Sequence, residues 1–276
     1  MQVLIVTCDR DRWQFQIQCW SFCKYLSHTT INIIVNEMDP EPWKAWYKAN
    51  CKKYLWRHRV RVYTIADFPE FYKFAKKTLP IPFSGGGWKT QQALKLLFSS
   101  MTDKPYLVLD SKNWLVQNTK VKDLTQHRRC LVTNPFGQFA QDCYHKFNFQ
   151  EPQFYRPAHT PFWIDPEITN SMFSFFGNSF NASTWLMKAK LPSEFIMYDL
   201  YATSRGFDQP DTGTHQDYSK IYWVGSTPPT QEEIEQVVNN KNIKMFSIHL
   251  PLLEHMDKTM IEKAVGFSTK YFYWRF

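Results

Sequence analysis

The strongest constraint on this chain is the way fully apolar runs alternate with stretches of helical period. Residues 2–8 carry Val3, Leu4, Ile5 and Val6 without a break, residues 31–35 read INIIV as a second buried strand, and residues 60–65 read as a third strand. A strand that is apolar at successive positions, not only at alternate ones, is covered on both faces. After the first run, Phe15, Cys19, Phe22, Cys23 and Leu26 recur at helical spacing, which predicts a helix of about four turns. A loop at 36–42 precedes a second helix over 43–49. The order β-α-β-α-β implies a parallel sheet joined by right-handed crossovers. The expected class is therefore α/β, with a Rossmann-like, mostly parallel central sheet flanked by helices.

Residues 80–87 (PIPFSGGG) break this pattern, and a strong helix is predicted over 88–100. A short strand at 106–109 runs directly into Asp110, and another is expected at 131–133. Beyond Asn134, prolines 135, 152, 157, 161 and 166 interrupt an aromatic-rich half of irregular structure, with helices expected near 166–176, 193–203, 231–239 and 252–265. No internal repeat, low-complexity tract or linker divides the chain. A single domain is expected, made of two fused halves, 1–134 and 135–276.

The 276 residues are 43% hydrophobic and 21% charged, which excludes general disorder. Aromatics reach 17%, enough to fill a core with rings and leave some to stack on a sugar or nucleobase. The net charge of +8 favours anionic partners: nucleotide phosphates, nucleic acid or an acidic membrane face. The six cysteines match no zinc spacing and read as buried free thiols in a reducing cytosol. The N-terminal apolar run is too short for a signal peptide, and no stretch approaches the ~20 apolar residues of a membrane span. A cytoplasmic protein, bacterial or in a virus-infected cell, is expected. The glycines 85–87 are not followed by the Gly-Lys-Ser/Thr of a phosphate loop.

Three places could carry chemistry. In Tyr106-Leu-Val-Leu-Asp110-Ser-Lys-Asn113 a carboxylate stands at the C-terminal edge of a strand, where open parallel sheets bind ligands. It can hold a divalent metal, or it can cap a turn. Glu194 falls in the first turn of a predicted helix, either balancing the helix dipole or acting as a general base. Asp199, on another face of that helix, is a second candidate base. His159-Thr-Pro-Phe162-Trp163 is either an irregular surface loop or an acceptor platform, with His159 beside a stacking Phe162 or Trp163. His127, His215 and His255 have no evident role.

The segments VTCDRDRWQFQIQCWSF, GGWKTQQALKLLFSSMTDKPYLVLDSKN, and LPSEFIMYDLYATSRG with the later MFSIHLPLLEHM resemble the GT-A glycosyltransferases, in particular a little-characterised bacterial and viral family related to them. Together they cover most of the chain in that family's order, and the second is the most specific. The resemblance implies one GT-A-like domain, with 1–134 as the nucleotide-sugar-binding half and 135–276 as the acceptor-binding half. It implies that Thr7 to Asp11 cradle base and ribose through Asp9 or Asp11, that Gln91 and Gln92 line the donor pocket, and that Lys95 reaches the diphosphate or donor sugar. Asp110 would open a DxD-type motif, with His249 as a late ligand to manganese or magnesium.

This sequence departs from the motif, because Lys112 stands where the second carboxylate is expected. Three alternatives remain open at this stage. Asp110 and His249 hold the metal with water and diphosphate, or Asn113 supplies the missing oxygen, or Lys112 itself neutralises the diphosphate. The implied reaction takes a sugar from a nucleotide-diphosphate donor, UDP-linked, to a hydroxyl on a surface glycan or on 5-hydroxymethyl-pyrimidine in phage DNA. A non-catalytic nucleic-acid-binding protein is the alternative.

Overall fold

The computed structural model describes residues 1–78, 87–125, 130–131, 137–147, 154–155, 159–189, 193–207, 218–223 and 225–267. Residues 80–86 of the predicted break, the expected strand end at 132–133, and His127 and His215 lie outside them.

The N-terminal alternation folds as its pattern dictates. Strand β1 (Gln2–Thr7) leads through α1 (Arg12–Tyr25) to β2 (Thr30–Val35), and α2 (Glu41–Asn50) leads to β3 (Arg59–Thr64). Helices α3 (Pro69–Thr78) and α4 (Gly87–Leu97) precede β4 (Tyr106–Asp110). The short strands β5 (Trp114–Leu115), β6 (Cys130–Leu131), β7 (Phe154–Tyr155) and β8 (Phe162–Ile164) follow, with α5 (Gly137–Phe147) between β6 and β7. Then come α6 (Pro166–Phe175), α7 (Ser179–Lys188), α8 (Glu194–Ser204), β9 (Ser219–Tyr222), α9 (Gln231–Asn239), β10 (Met245–Ile248), α10 (Leu250–Leu253) and α11 (Lys258–Val265).

The central sheet has the order β3-β2-β1-β4-β8. Its first four strands are parallel, and β8 runs antiparallel to β4. The pleat sorts the strand side chains into two cores. Val3, Ile5, Ile31, Ile33, Val35, Leu107 and Leu109 pack with α1 and α2 on one face. Leu4, Val6, Ile34, Tyr106, Val108, Phe162 and Ile164 pack with α4, α6 and α8 on the other. Both cores draw on residues from the two halves of the sequence. A second sheet, β5-β10-β9, joins the first core through Trp114, Phe246 and Ile248.

Several expectations need correction. The helix expected over 252–265 is two helices, because Asp257 caps α11 by accepting the Thr259 N–H at 2.9 Å. The helix expected over 88–100 tightens into a 3-10 turn at Phe98–Met101. Residues 159–163 are not an irregular surface loop throughout: β8 begins at Phe162, and its three residues are too few for alternation to be read. Helices α3, α5 and α7 and strand β9 were not anticipated. No helix among the described residues is long and apolar enough to cross a membrane.

Candidate active site

The connection after β1 goes to β2 on one side of the sheet, while β4 lies on the other side of β1. The order thus reverses between β1 and β4, and a crevice opens there at the C-terminal strand ends. Val6 pairs with Asp110 across that crevice, so the loop after β1 and the carboxylate after β4 face one opening. Because β8 is antiparallel, its leading residues His159 and Thr160 arrive at the same edge.

Asp110 is the hub. Lys95, on α4, donates to its Oδ1 at 2.9 Å, and Lys112 donates to its Oδ2 at 2.6 Å. The Thr160 hydroxyl adds a bond to Oδ2 at 3.1 Å. The Lys95 ammonium also donates to Glu194 Oε1 at 2.9 Å, and both of those side chains are nearly excluded from solvent. Burial alone would push Lys95 towards the neutral form. The Asp110 and Glu194 carboxylates outweigh it and raise the ammonium above its ordinary range. Burial likewise opposes ionisation of Asp110, but Lys112 and Lys95 hold its carboxyl well below the usual carboxylate range. Burial, with Lys112 adding to it, lowers the His249 imidazole to about 4, so it is neutral at physiological pH. Its buried Nε2 has no protein partner. Asp11 is raised, first by burial and then by Asp110, against the pull of Lys112.

The backbone around the hub is fixed by buried polar groups. Asn113 Oδ1 accepts the Asp110 N–H at 2.5 Å, and its Nδ2 donates to Ser247 Oγ at 2.8 Å. Ser247 lies two residues before His249, so Asn113 ties the carboxylate loop to the histidine. Gln18, on α1, donates to the carbonyls of Asp110 and Asn113 at 2.7 and 3.0 Å. Gln14 donates to the Ile248 carbonyl at 3.3 Å.

Two adjoining chambers flank the hub. One, of about 260 Å³, is lined by Asp11, Gln14, Gln91 and Ser111 beside β1. The other, of about 340 Å³, is lined by Gln92, His159, Glu194, Phe195 and Trp223. Trp88, Lys95, Asp110, Lys112 and His249 line both.

Asp11, Gln91, Gln92, Lys95, Asp110, Lys112, His159, Glu194 and His249 therefore meet at one crevice. The other candidates do not line it. Phe162 is 0% exposed and stacks on Phe195 at 4.3 Å between ring centroids, so it belongs to the core and offers no acceptor face. Trp163 is half-buried and lines neither chamber. Thr7 is fully buried beneath the loop, Asp9 is exposed and ion-paired with Arg12 at 2.6 Å, and Asp199 is buried within α8. Asn113 has both ends of its amide engaged by protein and braces the site. Sequence reasoning missed Trp88, 50% exposed at the start of α4, and Trp223, whose ring lies 4.6 Å from that of His249. Trp88 begins the periodic helix and reads as one more core ring. Trp223 follows a strand too short to notice.

A divalent cation needs several oxygen or nitrogen ligands at once. Among the described residues no group of three His, Cys, Asp or Glu side chains is placed to hold one. Both Asp110 oxygens are engaged by ammonium groups. The donor set as arranged among the described residues does not fit a divalent cation.

No family model matches the chain, and no curated protein matches it. Among solved structures, it is similar to the galactosyltransferase LgtC in complex with donor and acceptor sugar analogs, with a TM-score of 0.53 and 10% identity over 98% of this chain and 96% of that one. An active-site mutant of LgtC aligns at 0.52 and 10% identity over 98% and 97% of the two chains. The fold is that of the GT-A glycosyltransferases, as the sequence resemblance implied.

Proposed function

We propose that the protein transfers a glycosyl group from a nucleotide-diphosphate sugar to a hydroxyl acceptor. The observation that carries this reading is the Lys112–Asp110–Lys95–Glu194 chain, set at the strand-order reversal of a GT-A fold with a chamber on either side. The chamber beside Asp11 and Gln91 takes the nucleotide, UDP in the simplest case. The chamber beside Gln92, Glu194 and His159 takes the donor sugar and the acceptor. Trp88, at the mouth of both, offers a ring for stacking.

In transfer, the bond from the anomeric carbon to the diphosphate oxygen breaks, and its electron pair stays on the phosphate. Lys95 and Lys112 offset that charge from fixed positions, which requires no reorganisation during the reaction. A bond forms between the anomeric carbon and the acceptor oxygen, and Glu194 accepts the hydroxyl proton. His249 presents a neutral imidazole to the diphosphate.

The test is release of nucleoside diphosphate from a panel of nucleotide sugars, with oligosaccharide or 5-hydroxymethylcytosine DNA as acceptor. Release that depends on one donor and one acceptor, and is abolished in Glu194→Ala, is expected. No release from any pairing contradicts the reading. A second reading, nucleic-acid binding, is favoured by a groove lined by Lys44, Lys48, Lys52, Lys53 and Trp56 at the exposed edge strand β3. Under it, DNA retention on a column falls steeply with salt and persists in Asp110→Ala.

A further inference from the structure

A site for a nucleoside diphosphate needs positive charge where the diphosphate lies, and the expected donor set for a divalent cation is absent from that place. The geometry supplies the charge differently. Two carboxylates and a divalent cation sum to zero, and Asp110 with Lys112 sums to the same zero. Lys112 occupies the position two residues after Asp110, and its Nζ is seated 2.6 Å from Oδ2. Its ammonium has three N–H donors. One reaches Asp110, which leaves two for ligand oxygens. The side chain is one-fifth exposed and borders both chambers. Lys95 closes the other Asp110 oxygen at 2.9 Å, so a cation approaching either oxygen meets an ammonium already in place. The neighbouring His249 lines both chambers, is held neutral and has a buried Nε2 without a hydrogen-bond partner.

We propose that Lys112 is the built-in cation of this site: its ammonium, anchored on Asp110, holds the diphosphate of a nucleotide ligand, and binding of that nucleotide requires no divalent metal. This rests on the donor reading above. The bound nucleotide bridges the two chambers over Lys112. Position 112 thereby decides whether the site is loaded by a metal or by a side chain.

The experiment is titration calorimetry of the full chain with UDP, and with the other nucleoside diphosphates if UDP is silent, in EDTA and in manganese. The expected wild-type dissociation constant differs by less than twofold between the two buffers. Lys112→Asp, which restores two carboxylates at the motif's spacing, is expected to bind at least tenfold more weakly than wild type in EDTA and to recover in manganese. Wild-type binding that is lost in EDTA and restored by manganese overturns the proposal while leaving the donor reading intact. Lys112→Asp binding within twofold of wild type in EDTA overturns it equally. Binding of no nucleoside diphosphate in either buffer overturns the donor reading, and this proposal with it.

Discussion

At the scale of single residues, the site depends on compensating charges out of water. Lys95 holds Asp110 and Glu194 at once, and neither carboxylate is costly while the ammonium is present. Removing one partner of a buried pair typically costs about 3–5 kcal/mol, because a charge is left unpaired. Lys95→Ala is therefore expected to lower the unfolding free energy by roughly that amount in a urea melt, whereas Glu194→Gln, which keeps a hydrogen-bond acceptor for Lys95, costs less. Equal, small losses in both would contradict the account.

His249 makes a second prediction at this scale. In the unfolded chain its imidazole takes a proton near pH 6.5, but in the folded chain only near 4. Between those values the unfolded state binds more protons, so stability is complete above pH 6.5 and falls as pH drops towards 4. Asp110 also has a depressed folded-state pKa, and its contribution is lost only below the ordinary carboxylate range. The melting temperature of wild type should decline over pH 6.5–4.5 more steeply than that of His249→Gln; parallel curves would contradict the assignment.

At the scale of elements, what was legible depended on pattern length. Strands β1 and β2 were plain because each carries consecutive apolar residues, and Asp110 was plain because it ends such a run. Helix α1 was legible as a helix, but its function was not. Gln14, Gln18 and Ser21 lie at i, i+4 and i+7 on its inner face, and all three are buried. They were passed over because the apolar positions already accounted for a helix. That polar stripe latches the loops carrying Asp110 and His249, and three polar residues on a core-facing stripe are the signal that could have exposed it. Residues 159–163 misled for the opposite reason. Aromatic and proline content suggested a surface platform, but only the fold shows that β8 adds to β4 and drives Phe162 inward. Phe162→Ala is therefore expected to cost about 3–5 kcal/mol through cavity formation. Trp88→Ala, at a half-exposed position, is expected to change stability by about 0.5 kcal/mol or less and to weaken nucleotide binding. The reverse pattern, with Phe162 controlling binding and Trp88 controlling stability, would restore the platform.

At the scale of the whole molecule, the parallel sheet explains why residues far apart in sequence converge. Lys95 precedes β4, Asp110 ends it, Thr160 leads into β8, Glu194 begins α8 and His249 follows β10, and each of these points opens on one sheet edge. Asp110 and Glu194 were legible as a strand end and a helix start, Lys95 and His249 only through the GT-A resemblance, and Thr160 not at all. Which carboxylate oxygens the lysines occupy was not legible, because that depends on side-chain packing across the crevice.

The central claim is that this edge binds a nucleotide-diphosphate donor. The most direct measurement is the melting temperature of wild type and Asp110→Ala against a panel of nucleoside diphosphates and their sugars. A ligand at about 100 times its dissociation constant stabilises the native state by about 2.7 kcal/mol. The account predicts a rise of several degrees with one nucleotide in wild type and none in Asp110→Ala. No rise with any nucleotide, or an equal rise in both proteins, would contradict it.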